Sequence, residues 1–358
     1  MTHFLQDILR QPDELQRTIE YLSLGGRGIL EDAANALRGA RHVYLTGIGS
    51  SWHAGRGAAA MFARNGRPVH LLEAAELLHF TVLPPDSVIV AISRTGRSIE
   101  IVQLLSKARE SGSTVIGVTN SADGALALES QISLVVPVTF DHGISVNTYS
   151  TLACAAGALA AAVAHSFDSV LTTRICDAAK ESTEAIPRWQ EQIAHTRWLL
   201  PRAAYYFLGR GPSLGSCHEA RLLWEEGVKS PATSMGTSSF RHGPQEIVDS
   251  GLRFGIWIDA QQMRDQDLAV ARDLKRMGGS VMLIGQHLAP DAADLVFELP
   301  QIPEAWQFLI DIIPAQLCAE HLAKLSGADT DSFRYCSYIV EDEYGLLHDK
   351  VGARKDGN

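Results

Sequence analysis

Apolar positions along the chain follow two alternating rhythms. An amphipathic stretch, Phe4 to Leu24, reads as a helix ended by Gly25-Gly26. Short apolar runs then recur at His42–Leu45, Val69–Leu72, Val88–Ile92, Thr114–Val118 and Leu134–Val138. Helical periods over Trp52–Asn65, Ser98–Ser111 and Val146–Ala164 lie between them. Strands that are apolar throughout and separated by helices predict a parallel sheet covered on both faces, with right-handed crossovers. A charged helical stretch, Ile175–Leu199, leads into a second round at Tyr205–Leu208, Leu252–Ile258, Ser280–Ile284 and Leu295–Leu299.

The second round is a repeat of the first at an offset of roughly 160 residues. YLTGIGSS (44–51) returns as FLGRGPSL (207–214), ESGSTVIGV (110–118) as RMGGSVMLI (276–284), and LVVPV (134–138) as LVFELP (295–300). The fold class expected is α/β: two tandem doubly wound, flavodoxin-like parallel-sheet domains related by internal duplication. The boundaries expected are a helical segment at 1–30, a first domain at 31–170, a bridging helix at 171–200, a second domain at 201–342 and a polar tail at 343–358.

Composition narrows the function. The 358 residues are 46% hydrophobic, enough for two cores, and the net charge of −10 argues against a nucleic-acid partner. Five scattered cysteines without a CxxC suit a reduced, cytoplasmic setting rather than a disulfide framework or zinc site. The N-terminus has no apolar signal core, and Leu152–Ala164, the most hydrophobic stretch, is too short to span a bilayer, so no membrane partner is expected. His42, His53, His142 and His218 show no ligand spacing with acidic residues, so no metal is expected.

Ligands of open parallel sheets bind beyond the carboxyl ends of the strands. Two loops are suited to that place: Gly47-Ile48-Gly49-Ser50-Ser51 and Ser93-Arg94-Thr95-Gly96-Arg97-Ser98. Glycines let backbone close on a ligand, and free N–H groups at a helix start attract phosphate. Serine and threonine there also serve as ordinary helix caps; two such loops favour one small phosphorylated ligand held from two sides, with Thr148 as a further donor. No GxxxxGK[ST] is present. Gly47-x-Gly49 with Glu73 partly matches a dinucleotide fingerprint, but Trp52 and, in the repeat, Leu214 fill the third glycine's place, so no nucleotide cofactor is expected.

In the second half, the helix Ser213–Gly227 places Glu219, Leu222 or Leu223, and Glu226 on one stripe. Partial burial there would raise the Glu226 pKa into a general-base range; full solvation of Glu225 and Glu226 is the other reading. His242 stands beside the Gly243-Pro244 turn, where it serves either as an acid–base group or as a structural residue.

Taken in order, ILRQPDELQRTI, GIGSSWHAG, EAAEL, AISRTGRSIE, FLGRGPSLGSCHEARLLWEEG, FRHGPQEIVD and SGADTDSFRY resemble the tandem sugar-isomerase (SIS) domain family. The chain is similar to the isomerase half of glucosamine-6-phosphate synthase and to amino-sugar phosphate deaminases and isomerases. The resemblance implies phosphosugar binding by Ser50, Ser51, Ser93, Thr95, Ser98 and Ser145; Arg94, a departure on the same loop, is expected to add positive charge to that site. It also implies C1/C2 proton transfer by Glu226 and ring opening by His242, supplied from the neighbouring subunit of a homodimer with shared sites. A lysine of the family pattern is replaced by Tyr338, leaving Lys350 and Lys355 as candidate substitutes, and another is replaced by Tyr149. Arg94 and Arg97 stand in place of a glutamine and a glutamate. The chain begins within the isomerase half, so glutamine amidotransferase activity is not expected. The function implied is an isomerase, deaminase or deglycase of an amino-sugar or fructosamine 6-phosphate; the alternative is a sugar-phosphate sensor without chemistry.

Overall fold

The structure is a computed structural model that describes residues 1–346. Lys350 and Lys355 lie outside the described residues, as does the tail beyond 346. Two helices open the chain, α1 (His3–Ser23) and α2 (Arg27–Gly39). The first α/β unit follows as β1 (His42–Gly47), α3 (Ser50–Arg64), β2 (His70–Glu73), α4 (Ala74–His79), β3 (Ser87–Ser93), α5 (Ile99–Glu110), β4 (Thr114–Thr119), α6 (Ala125–Glu129), β5 (Ile132–Val135) and α7 (Asn147–Val163). A long helix, α8 (Ser169–His195), crosses to the second unit. That unit runs β6 (Ala204–Gly209), α9 (Leu214–Leu223), β7 (Ala232–Gly236), α10 (Thr237–Phe240), β8 (Leu252–Trp257), α11 (Arg264–Arg276), β9 (Ser280–Gly285), β10 (Leu295–Glu298) and α12 (Ile313–Ser326).

Both sheets are parallel and five-stranded, ordered β2-β1-β3-β4-β5 and β7-β6-β8-β9-β10. Each is therefore the doubly wound order 2-1-3-4-5 counted from its own first strand, so the repeat extends from sequence to topology. The central strands β3 and β8 are buried along their whole length, which is why they read as mainly apolar runs; in β8 Arg253 is the exception, its guanidinium donating to the carbonyls of Trp198, Ser250 and Leu252. The edge strands β2 and β7 are half-buried or exposed, and β7, Ala-Thr-Ser-Met-Gly, carries no such run.

Helix α7 explains the chain's most hydrophobic stretch: all of its residues are buried, against α3, α1 and α2. Among the described residues no helix is long and apolar enough to cross a membrane. Small residues bring the two units close together. A Cβ on Gly57 would meet the Phe308 ring at 2.8 Å, and one on Gly215 would meet the backbone oxygen of His53 at 2.7 Å. The carboxyl ends of β1 and β3 thus come to face helix α9 of the other unit.

Candidate active site

Glycine geometry builds the two expected loops. Gly49 has φ +54°, and a Cβ on Gly47 would lie 2.9 Å from the backbone of Ser51 and Trp52. Only glycine lets α3 start this tightly against β1, and that turn sets Ser50 and Ser51 at the helix start. In the second loop Gly96 has φ +64° and donates its N–H to Ser93 Oγ at 3.0 Å.

The loops face each other across a cavity of about 210 Å³, below the ~300–1,000 Å³ typical of drug-sized ligands. It is lined by Ser50, Ser51, Ser93, Arg94, Thr95, Ser98, Ser145 and Glu226, so these seven expected phosphosugar-binding residues and the expected base share one cavity. Residues 333 and 336–340 cover it. Arg94 fastens that cover: it donates to the Tyr338 carbonyl at 2.9 Å and to Ser145 Oγ at 3.2 Å, and its guanidinium lies 3.9 Å from the Tyr338 ring centre. The backbone N–H of Ile99 donates to the Val340 carbonyl at 3.1 Å. Tyr338 thus packs on the cation beside the cradle, while Tyr149 is buried in α7.

Three expected contributors lie elsewhere. Arg97 turns outward to Asp123 at 2.6 Å. Thr148 is fully buried and gives its hydroxyl to Asp141 at 2.7 Å. Asp141 also accepts from the backbone of Val146, Asn147 and Thr148, so the start of α7 already has its anion. His242 is exposed on the turn before Gly243 and does not reach the cavity of its own chain.

Glu226 sits where α9 widens into a π-helical turn, Trp224–Val228, a distortion frequent at functional sites. It is half-buried, and burial first, then the neighbouring Glu219, pushes its carboxyl up to about 7; Arg94 and Lys229 pull the other way. Glu219 is fully buried between the two units and accepts from Ser50 Oγ at 2.9 Å. Its other oxygen lies 2.7 Å from His53 Nδ1. Burial pushes Glu219 up to about 8 and His53 down to about 3. Burial thus biases the pair toward its neutral forms, a carboxyl and an imidazole sharing one proton. This pair, which orients Ser50, was not readable as a pair: its members are far apart in sequence, and only the stripe through Glu219 hinted at burial.

In the repeat the corresponding place is occupied by an ion pair. At the carboxyl ends of β6 and β8, Arg210 pairs with the buried Asp267 at 2.6 Å, and Asp267 also accepts from the N–H of Asp259 at 3.3 Å. Among the described residues no His, Cys, Asp and Glu cluster has the arrangement of a metal site.

Comparison with known proteins agrees with this architecture. Residues 36–164 match the SIS domain family. An isomerizing glutamine–fructose-6-phosphate aminotransferase of Pyrobaculum aerophilum is 28% identical over 95% of this chain, and the chain spans 58% of that relative's length. Among solved structures, the C-terminal domain of glucosamine-fructose-6-phosphate aminotransferase from Francisella tularensis superposes with TM-score 0.81 at 20% identity, covering 92% of this chain and 97% of that one. Glucosamine-6-phosphate deaminase from Thermotoga maritima gives 0.80 at 21% identity, covering 95% and 99%. Tagatose-6-phosphate ketose/aldose isomerase from Escherichia coli gives 0.79 at 20% identity, covering 92% and 94%. At these identities the solved structures establish the fold. Residues 36–164 thus match the SIS domain family, and the chain as a whole shares the fold of these solved structures.

Proposed function

We propose that the protein is a cytoplasmic phosphosugar aldose–ketose isomerase or deaminase acting on an amino-sugar or fructosamine 6-phosphate. One observation carries the reading: a carboxyl pushed up to about 7 faces the same small cavity as a hydroxyl-rich phosphate cradle. The phosphate rests on Ser51, Ser93, Thr95 and Ser98 at the starts of α3 and α5, with Arg94 adding a positive charge. Ser50, its proton directed to Glu219, presents lone pairs to a sugar hydroxyl. Glu226 takes the proton from one of C1 and C2 and returns it to the other, a task matched to a base poised near neutral pH. His242, exposed on its own chain, completes the neighbouring subunit's site in a homodimer and assists ring opening.

The alternative is a sensor that binds the sugar phosphate without turning it over. The position of His242 outside its own cavity favours that reading if the protein proves monomeric. Incubation with glucosamine 6-phosphate, fructosamine 6-phosphate, and fructose 6-phosphate plus ammonia separates the two. Turnover abolished by Glu226→Gln supports the enzyme. Thermal stabilisation by a sugar phosphate with no turnover of any compound supports the sensor.

A further inference from the structure

The chain's net charge is −10, yet the charged residues of one large cleft are all cations. This cleft, of about 550 Å³, opens at the amino ends of β6 and β7, beside the end of α12. Arg202, Lys229 and Arg334 line it, and no carboxylate among the described residues does. Ser230, Thr233 and Ser326 add hydroxyls, and the rest of the wall is largely apolar. The cleft is separate from the phosphosugar cavity, with which it shares no lining residue.

The three cations are not neutralised by the protein. Arg202 and Arg334 are exposed, and neither guanidinium has an ion-pair partner among the described residues. Lys229 donates to the carbonyls of Glu226 and Ser332 and also lacks an ion pair. Burial first, and then Arg334, pulls its ammonium below the ordinary lysine value, while Glu226 and Asp329 pull the other way. Two helix ends border the cleft, at Val228 and Ser326, and each brings about half a negative charge. About two positive charges remain without compensation. Arg202 and Lys229 also have left-handed backbones, with φ +66° and +60°. Glycine or asparagine takes that conformation with less strain, but at both positions the chain carries a long basic side chain, and both line the same cleft.

We propose that this cleft is a second anion site, which binds a diphosphate between Arg202 and Arg334 with Lys229 and the hydroxyls completing it. Guanidinium forks match phosphoryl oxygens in pairs. Two such forks and an ammonium offer more than one phosphate can use, and the cleft has more than twice the 210 Å³ of the phosphosugar cavity. The assignment stands apart from the phosphosugar reading. Its ligand would nevertheless touch that cavity's supports. Lys229 bonds the backbone of Glu226, and Arg334 leads into the segment that covers the cradle.

The test is calorimetry of the full chain with inorganic pyrophosphate, orthophosphate and ADP. Pyrophosphate is expected to bind at least about tenfold more tightly than orthophosphate, which reaches fewer of the cations. Arg202→Gln and Arg334→Gln, both at exposed positions, should each weaken pyrophosphate at least about tenfold, the effect of one charged hydrogen-bonding partner. Arg94→Met, in the phosphosugar cavity, should leave that affinity unchanged. ADP binding as tightly as pyrophosphate supports the site with a nucleotide as the carrier of the diphosphate. Pyrophosphate binding without ADP supports it with the free anion as ligand. Binding unmoved by both cleft variants, binding lost in Arg94→Met, or no binding of either diphosphate overturns the proposal. Each of these results leaves the phosphosugar reading to its own turnover assay.

Discussion

Replacing Glu226 by glutamine separates the catalytic role proposed for the carboxylate from what it costs the fold. In the wild-type protein the ionised fraction of Glu226 rises from about a tenth at pH 6 to about nine tenths at pH 8. The kcat/KM for the ketose or aldose phosphate should therefore climb through that range and level off above it. Glu226→Gln should lower kcat by about 10²–10⁴, the usual yield of a positioned acid–base group. Stability should move in the opposite direction. The rise from 4.5 to about 7 means that the folded state holds the proton more tightly than the unfolded chain. The cost of ionising Glu226 is absent below pH 4.5, grows as pH rises, and is complete above about pH 7. Taken at face value it is about 3 kcal/mol; solvent reaching this half-buried group reduces it to about 1–2 kcal/mol. The glutamine variant should thus unfold at a higher denaturant concentration than wild type at pH 8, by that amount, and no higher at pH 4.5. Chemical denaturation at the two pH values and a pH–rate profile suffice. A profile flat from pH 5.5 to 8, or a variant retaining a tenth of wild-type kcat, would refute the reasoning.

Other perturbations address different parts of the structure. Gly215→Ala puts a methyl group 2.7 Å from the His53 carbonyl oxygen and should cost about 1–3 kcal/mol, read as a lower thermal midpoint; an unchanged midpoint would mean that the two units do not meet there. Glu219→Ala leaves Ser50 and His53 without their shared hydrogen-bond partner, at about 1–3 kcal/mol for each stranded buried group. It should also weaken sugar-phosphate binding measured by calorimetry, and intact affinity would free Ser50 from its assigned role. Arg94→Met removes the bonds to the Tyr338 carbonyl and Ser145, so trypsin should cut after Arg334 several times faster; equal rates would show that the cover is held by other contacts. Mixing Glu226→Gln with His242→Ala, each inactive alone, should restore about a quarter of wild-type activity if subunits of a dimer exchange at random and share sites; no recovery after exchange would argue against a shared site.

How far the chain could be read in advance follows from the range of the interactions involved. The cradle loops were legible because a strand, a glycine and a hydroxyl at a helix start are all local signals, and Gly47, Gly49 and Gly96 occupy positions only glycine fills easily. The strand β7 was not: Ala-Thr-Ser-Met-Gly pairs on one side only and has no need of an apolar run. Thr148 read as a free donor because nothing in a helix start reveals that Asp141 has already claimed it. The Glu219–His53 pair joins two units, and periodicity reports which face is buried without reporting what it meets. The covering segment around Tyr338 has no periodicity at all; Arg94 and the backbone N–H of Ile99 fasten it, and those contacts belong to tertiary structure alone.

The ion pair between Arg210 and Asp267 bears on stoichiometry. Duplication produced two sheets of the same order, and two ligands per chain would be the naive count. In the second copy, however, the mouth of the sheet already contains a guanidinium bound to a carboxylate, and Asp259 adds another negative charge beside it. A phosphate arriving there would have to displace one anion and approach a second. The chain should therefore saturate at one sugar phosphate, the first copy supplying the receptacle and the second, through Glu226, the reagent. On the proposed function, the duplication would have yielded a division of labour rather than a doubled capacity.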